Sequence, residues 1–304
     1  MKLRTGLFPA LGLLLLSMLW ACGWLLTELS PSFGANPFSL PLRQAVVFSV
    51  FAAMTASIAL VRGAEFPSGR RAWASAGIGL GFFVIPTSAA AFAQGWISNL
   101  DEVAVLCLTP IFAVVLEPYL DDNPPRRGRA GLAGALVAVA GILCLFPLEI
   151  PSSFRAGVAL MVLLVTAFAV AATNCIAVRL ARSVPGPSTL SMAAQASGVA
   201  AVCFAVAAAF TPSTTWNLSA VHVYFLRVLL IDIPGLILLF WLVSRLGASR
   251  MTARFFLAPL FASLIGLALE PMLPPLRALL GIVLLAAGSG WLVFAPAEST
   301  AEEF

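Results

Sequence analysis

Residues 108–113 read Leu-Thr-Pro-Ile-Phe-Ala, and residues 257–262 read Leu-Ala-Pro-Leu-Phe-Ala. The offset of 149 residues is close to half of the 304-residue chain. Extended without gaps over residues 108–143, the match keeps ten of 36 positions identical. It pairs Asp121 with Glu270, Pro125 with Pro274 and Gly141 with Gly290. The repeat predicts that the chain consists of two related halves.

The charges around the two copies are arranged in opposite order. The connection after the first copy holds Arg126, Arg127 and Arg129, whereas the equivalent connection in the second copy holds only Arg277. The connection before the second copy holds Arg245, Arg250 and Arg254, and the one before the first holds Asp101 and Glu102 without Arg or Lys. Because Arg and Lys favour the cytoplasmic side of a membrane, the pattern predicts halves inserted with opposite orientation.

The composition predicts a polytopic membrane protein whose principal environment is the lipid bilayer. The chain is 61% hydrophobic and 10% charged, with a mean hydropathy of +1.02, whereas soluble domains carry about 25% charged residues. The net charge of +4 comes from basic residues in short connections, which indicates membrane topology, and we expect no nucleic-acid partner. The five cysteines lie in apolar runs, and no Cys/His pair has metal-ligand spacing, so we expect neither a metal nor a cofactor.

Apolar runs long enough to span a bilayer predict an all-α protein with ten transmembrane helices. The expected spans are 6–26, 41–62, 72–93, 102–118, 130–147, 156–179, 188–210, 221–243, 252–270 and 277–295. Lys2 and Arg4 before an apolar stretch resemble a signal peptide, but Trp20 fits a cleavage box badly, so we expect a retained first span. Gly77, Gly79 and Gly81 are expected on one face of the third span, where they would allow close helix packing.

The basic residues also predict the topology. With the N-terminus inside, thirteen of the 17 Lys and Arg residues fall in cytoplasmic connections. The expected organisation is a five-helix half over 1–150, a second, inverted five-helix half over 151–297, and a cytoplasmic tail over 298–304. Both termini are then cytoplasmic. Sixteen Arg against one Lys is typical of a high-GC bacterial genome, so we expect the protein in a bacterial inner membrane.

Asp232 is the most informative single residue, because it lies midway along the eighth predicted span. A charge at the bilayer centre costs about 2.5–3.5 kcal/mol on insertion scales, so the carboxylate should face the interior and be paired or protonated. It can couple transport to protons or bind a substrate amine, or it can form a salt bridge that fixes two helices. Pro234 removes the usual amide donor to the Leu230 carbonyl, which predicts a polar kink beside Asp232.

Three further residues are candidate substrate ligands. Arg43, near the outer end of the second span, can snorkel to headgroups or bind an anionic group. Arg227 lies deeper, five residues before Asp232; on an α-helix that is 140°, so the two side chains are expected to face different ways. Trp20 shares a helix face with Trp24, where both can line a pocket or contact lipid.

Asn174 and Gln195 are the polar residues at depth in the sixth and seventh spans. Each can form an interhelical hydrogen bond, and together they suit a pocket near the midplane lined from both halves. The chain has no Walker loop, no Gly-x-Gly-x-x-Gly opening a helix, no His-Glu-x-x-His and no Gly-x-Ser-x-Gly. We therefore expect no catalytic residues, and an ATP-driven pump would need a partner chain.

At these residues the sequence resembles the drug/metabolite transporter superfamily, in particular its EamA-type permeases. The resemblance covers the whole chain and is strongest over residues 245–291, which hold Arg-Leu-Gly-Ala-Ser-Arg at 245–250 and the Pro259 block. Leu19-Trp20 and Leu42-Arg43 are similar to the family's motifs in spans 1 and 2. Asp121 stands where the family usually has Glu, and Asp232 is not a family hallmark. The resemblance implies ten spans, cytoplasmic termini, a cavity between the halves and transport of small metabolites, amino acids or drugs, often outward.

We therefore expect a secondary transporter, an exporter or exchanger that works by alternating access, as a monomer or homodimer. Arg43 and Arg227 are candidates for an anionic or zwitterionic substrate group, and Asp232 is the candidate for proton coupling. Two other classes stay open. One is an intramembrane enzyme acting on lipid-linked substrates, and the other is a non-transporting sensor or accessory subunit.

Overall fold

The computed structural model describes residues 2–29, 39–120, 128–183, 188–211, 218–269 and 274–294. These residues form helices joined by short connections. In chain order the helices are α1 (Lys2–Leu29), α2 (Leu40–Val61), α3 (Gly69–Ala93), α4 (Asn99–Leu120), α5 (Gly128–Leu145), α6 (Phe154–Ser183), α7 (Ser188–Ala209), α8 (218–243), α9 (Ala248–Leu269) and α10 (Leu276–Phe294).

Nine helices in the described part of the chain are long and apolar enough to cross a membrane. The predicted fifth span corresponds to a shorter apolar stretch, Ala130–Leu145 within α5. Large apolar side chains also cover the outer surface, for instance Phe8, Val165 and Val283, each more than half exposed. Such surface suits lipid, since soluble proteins rarely expose large apolar patches. The chain is therefore a multi-pass helical membrane protein, as the composition predicts.

Two helices contain a five-residue π turn at matching places. In α3 the turn covers Leu80–Val84, and in α8 it covers Val228–Asp232. The Ile85 N–H donates to the Leu80 carbonyl, and the Ile233 N–H donates to the Val228 carbonyl. Each turn ends two residues before a proline, Pro86 or Pro234. A proline removes one α-helical hydrogen bond and crowds the preceding turn, and the wider π geometry accommodates that loss.

The helices pack in a regular set of pairs. α2 packs along α7, and α5 packs along α10. α1 contacts α8 and α9, while α6 contacts α3 and α4. The contacts repeat when each helix is matched with the helix five places away in the chain. α1 with its neighbours α8 and α9 then corresponds to α6 with its neighbours α3 and α4. The pairs α2–α7 and α5–α10 each correspond to themselves.

Glycines bring α5 and α10 into backbone contact. A Cβ added at Gly141 would meet the backbone of Gly281 and Leu285, and one added at Gly288 would meet the backbone of Gly134 and Ala138. Along α5 the residue number rises from Gly134 to Gly141, while the contacted residue on α10 falls from Gly288 to Gly281. The two helices therefore run antiparallel. Small residues at a membrane helix interface allow this close approach.

The three α3 glycines do not share a face, contrary to the sequence-based expectation. A Cβ at Gly79 would meet the backbone carbonyl of Ala196 on α7, whereas one at Gly81 would meet the side chain of Thr173 on α6. A Cβ at Gly77 would meet open space. Alternate residues of a helix point about 200° apart, so Gly79 faces a different neighbour from Gly81.

A buried carboxylate fixes the end of α4 to the start of α9. Glu117 is 3% exposed, and its Oε1 accepts a hydrogen bond from the Ala248 N–H at 2.7 Å. Its Oε2 accepts from the Ser249 N–H at 3.3 Å. These amides lie in the first turn of α9, where N–H groups lack partners within the helix. The predicted Asp121–Glu270 match and the basic pair Arg126 and Arg127 lie outside the described residues.

Candidate functional site

A polar cavity of about 260 Å³ lies between α1, α2, α3 and α8. We call it the arginine cavity. Its charged and aromatic lining comes from both predicted halves of the chain. The lining residues are Trp20, Arg43, Gln44, Val47, Phe48, Phe82, Phe83, Thr87, Tyr224, Arg227, Asp232 and Leu236. Three of the predicted ligands, Trp20, Arg43 and Arg227, therefore line one cavity together with the predicted proton-coupling residue.

Arg227 and Asp232 face the same way, contrary to the expectation from α-helical geometry. The Arg227 Nε lies 4.0 Å from Asp232 Oδ2, and both side chains are partly exposed. The π turn over Val228–Asp232 explains the difference. Because a π turn closes hydrogen bonds between residues five apart, it brings residues five apart onto one side of the helix. Asp232 therefore forms a salt bridge and also lines the cavity.

Arg43 approaches the same cavity from α2. The Tyr224 hydroxyl donates to the Arg43 backbone carbonyl at 2.7 Å, which ties the start of α2 to α8. The Arg43 Nε is buried and has no hydrogen-bond partner among the described residues. Arg43 lines the same cavity as Arg227 and Asp232. Two guanidinium groups against one carboxylate make this cavity suited to an anionic group.

The other wall of the arginine cavity is aromatic, and a second cavity lies on its far side. Phe48 and Phe83 line the first cavity, with ring centroids 4.4 Å apart. Phe83 packs on Phe240 at 6.3 Å, and Phe240 packs on Phe51 at 5.9 Å. Phe51 and Phe240 line a cavity of about 660 Å³ at the far ends of α2 and α8, beside Arg62 and Arg245, which we call the basal cavity. These four rings, the phenylalanine layer, separate the two cavities.

Arg254 is a buried cation that the sequence analysis assigned to a cytoplasmic connection. It begins the long segment of α9 and is only 2% exposed. The Arg254 Nη1 donates to Asn174 Oδ1 at 2.9 Å and to the Met251 carbonyl at 2.8 Å. The predicted span 252–270 also contained Arg254, but only as its third residue, so the sequence did not show that the side chain is buried. Removing it leaves twelve basic residues on the predicted cytoplasmic side, which keeps the bias.

Asn174 and Gln195 lie outside the residues that line the arginine cavity. Asn174 is fully buried on α6, where its amide nitrogen donates to the Val170 carbonyl at 2.7 Å and its oxygen accepts from Arg254. Gln195 on α7 has a buried Oε1 without a hydrogen-bond partner among the described residues. The sequence showed that these polar groups lie at depth, but not which helix each would face.

A third cavity, of about 170 Å³, lies between α1, α4 and α9. We call it the tryptophan cavity. Its lining is almost wholly apolar and comprises Trp20, Ala21, Trp24, Val103, Leu106, Cys107, Arg254, Phe255, Ala258 and Pro259. Trp20 lines both this cavity and the arginine cavity, and Trp24 lines this one. The face of α1 that carries both tryptophans therefore borders cavities inside the protein.

Comparisons with known proteins establish the fold and leave the function open. No family model matches the chain, and no curated protein matches it. A solved structure titled "Crystal structure of protein" is similar to it with a TM-score of 0.71 and 19% sequence identity. The similarity covers 95% of this chain and 99% of that chain. The whole helical arrangement therefore occurs in an experimentally determined structure.

Proposed function

We propose that this chain is a secondary transporter of the drug/metabolite transporter type, an EamA-like permease of a bacterial inner membrane. It exports or exchanges small metabolites, amino acids or drugs by alternating access. The observation that carries the proposal is the arginine cavity, where Arg43 on α2 and Arg227 with Asp232 on α8 meet in one aromatic-walled space. Ligand sites lined by both halves near the middle of the bundle are typical of secondary transporters.

The packing supports two inverted five-helix halves. In this arrangement the shorter helix α5 crosses the membrane in addition to the nine long helices. The helix contacts repeat when each helix is replaced by the one five places away, and the equivalent helices α5 and α10 run antiparallel. The π turns of α3 and α8, each followed by a proline, lie 148 residues apart. Equivalent helices can only run antiparallel if the two halves have opposite orientation. In this arrangement both termini lie in the cytoplasm.

The two cavities support alternating access. The arginine cavity lies near the starts of α2 and α8, and the basal cavity lies near their ends. The phenylalanine layer closes the path between them. In the inverted arrangement the arginine cavity faces the periplasm and the basal cavity faces the cytoplasm. A substrate crosses when the halves rock and the layer opens, driven by different affinities in the two states.

Counterflow in proteoliposomes tests this function. The purified chain is first screened against metabolites, amino acids and drugs by thermal shift, since a ligand of the folded state raises its stability. Vesicles loaded with each hit should then accumulate the labelled compound transiently, and Arg43→Met should remove that accumulation. Ligand binding without counterflow would overturn transport and favour a sensor or accessory subunit, whereas chemical conversion of the hit would favour an enzyme.

A further inference from the structure

Arg254 is a buried cation near the start of α9. Its side chain is 2% exposed, and no carboxylate lies within ion-pair distance of it among the described residues. Among the described residues, its hydrogen bonds to Asn174 and Met251 both come from one nitrogen, Nη1, and Nε has no hydrogen-bond partner. Because a guanidinium has five N–H donors, most of its capacity is unused.

Three aromatic rings enclose the charge. The Arg254 Cζ lies 4.9 Å from the ring centroid of Phe255, 5.5 Å from that of Trp20 and 5.7 Å from that of Phe82. Cation–π contacts of this kind stabilise a cation that is removed from water. They reduce the cost of burying the cation, but they supply no negative charge and no hydrogen-bond acceptor for the free N–H groups.

A structural role alone gives no reason for the charge. Well-packed apolar residues often replace buried ionic groups without loss of stability, whereas burying a charge within a membrane protein is costly. Asn174 supplies only one neutral acceptor, at 2.9 Å. A cation held at such a cost, with unused donors, is suited to an anion that arrives and leaves.

The tryptophan cavity provides the space for that anion. Arg254 lines it, and the remaining lining is carbon-rich, with Trp24, Leu106 and Pro259 among its walls. A phosphate needs several donors around its oxygens, which these walls do not offer. A carboxylate needs one guanidinium, and an apolar body attached to it would fill the rest of the space. Trp20 and Phe82 stand between Arg254 and the arginine cavity, since both contact Arg254 and line that cavity.

We propose that Arg254 and the tryptophan cavity form a second anion-binding site, which takes an organic carboxylate with an apolar body. The Arg254 guanidinium binds the carboxylate, and Trp20, Trp24 and Leu106 contact the body. Movement of the Trp20 ring connects this site with the arginine cavity. The role of the site in transport rests on the proposed function, but occupancy of the site does not.

Binding of radiolabelled benzoate to the purified full-length chain in lipid nanodiscs tests the site. In the background Arg43→Met/Arg227→Met, which disables the arginine cavity, benzoate should still bind more tightly than the neutral isostere benzamide. Adding Arg254→Met should weaken benzoate binding by about tenfold or more, as expected for a charge-assisted hydrogen bond, and leave benzamide unchanged. Adding Arg254→Lys should keep part of the preference. Arg277→Met, at an exposed position on α10, is the matched control and should change nothing.

A second measurement works even if Arg254→Met fails to fold. Fluorotryptophan is incorporated into the Arg43→Met/Arg227→Met chain, and the Trp24 resonance is assigned with Trp24→Phe. Benzoate should shift the Trp24 resonance saturably, whereas benzamide and inorganic phosphate should not. Equal affinity for benzoate and benzamide, or a Trp24 resonance that benzoate leaves unmoved, would overturn the second site. Neither result bears on counterflow, so transport and the second site can fail separately.

Discussion

The α3 and α8 helices each contain a π turn followed by a proline, but they carry different side chains at matching positions. Aligned on their π turns, Arg227 of α8 corresponds to Gly79 of α3, and Asp232 corresponds to Val84. On α8 these positions line the arginine cavity, whereas on α3 Gly79 allows the backbone of α7 to approach. The comparison teaches that the backbone of the two helices is matched while the chemistry is concentrated on one of them. α3 supplies aromatic rings and close packing, whereas α8 supplies charge in addition to the rings of Tyr224 and Phe240.

Replacing Asp232 should produce the largest functional change, because it removes the only carboxylate among the described lining residues of the arginine cavity. Asp232→Asn keeps the size of the side chain but cannot ionise. In proteoliposomes we expect flux that no longer responds to a pH gradient, while exchange without a gradient continues. Val84→Ala, at the matching position of α3, should keep the pH response. A normal pH response in Asp232→Asn would exclude Asp232 from proton coupling.

The two arginines of the cavity should each contribute strongly to substrate affinity. A hydrogen bond to a charged group contributes about 1.5–3 kcal/mol, so Arg43→Met or Arg227→Met should weaken binding of an anionic hit by about 10- to 150-fold. Titration of the purified variants by thermal shift measures the change. Arg277→Met provides the charge-matched control. If both cavity variants bound the hit like the parent chain, the substrate site would have to lie elsewhere.

Packing on α3 gives a smaller effect, on stability alone. Gly79→Ala places a Cβ against the backbone carbonyl of Ala196, which cannot move aside as a side chain can. Overpacking of this kind costs about 1–3 kcal/mol. Gly77→Ala, in open space on the same helix, should be neutral or slightly stabilising, since Ala is the better helix former. Thermal unfolding in detergent compares the two variants. Equal unfolding midpoints would show that α3 and α7 can move apart at Gly79 without loss of stability.

The prolines after the π turns should show the smallest effect on stability and the clearest contrast in function. Pro86→Ala and Pro234→Ala each restore an N–H donor and should change stability by no more than about 1 kcal/mol. On α8, relaxation of the turn towards α-helix rotates Arg227 away from Asp232, so substrate affinity should fall. On α3 no charged pair depends on the turn, so affinity should be retained. Parallel titrations of the two variants measure the difference.

The sequence predicted the helices well, because long apolar runs between charged connections leave little choice in a membrane. It placed Arg43, Arg227 and Asp232 among the candidate site residues because charge at depth is rare, and Trp20 because it shares a helix face with Trp24. It could not predict that Arg227 and Asp232 share a face, because that depends on a π turn and the estimate assumed α-helical periodicity. Asn174 was found as a polar residue at depth, but its partner Arg254 was counted with the neighbouring connection.

The phenylalanine layer has an electrical consequence. A membrane voltage falls mainly across the part of a protein that holds neither water nor polar groups, and the stack from Phe48 to Phe51 is apolar. Moving one elementary charge through the full voltage requires or releases about 2.3 kcal/mol per 100 mV. Under the proposed transport, an anion that enters the arginine cavity would do little electrical work, whereas one that passes the rings would do nearly all of it, and the current would be generated in that single step.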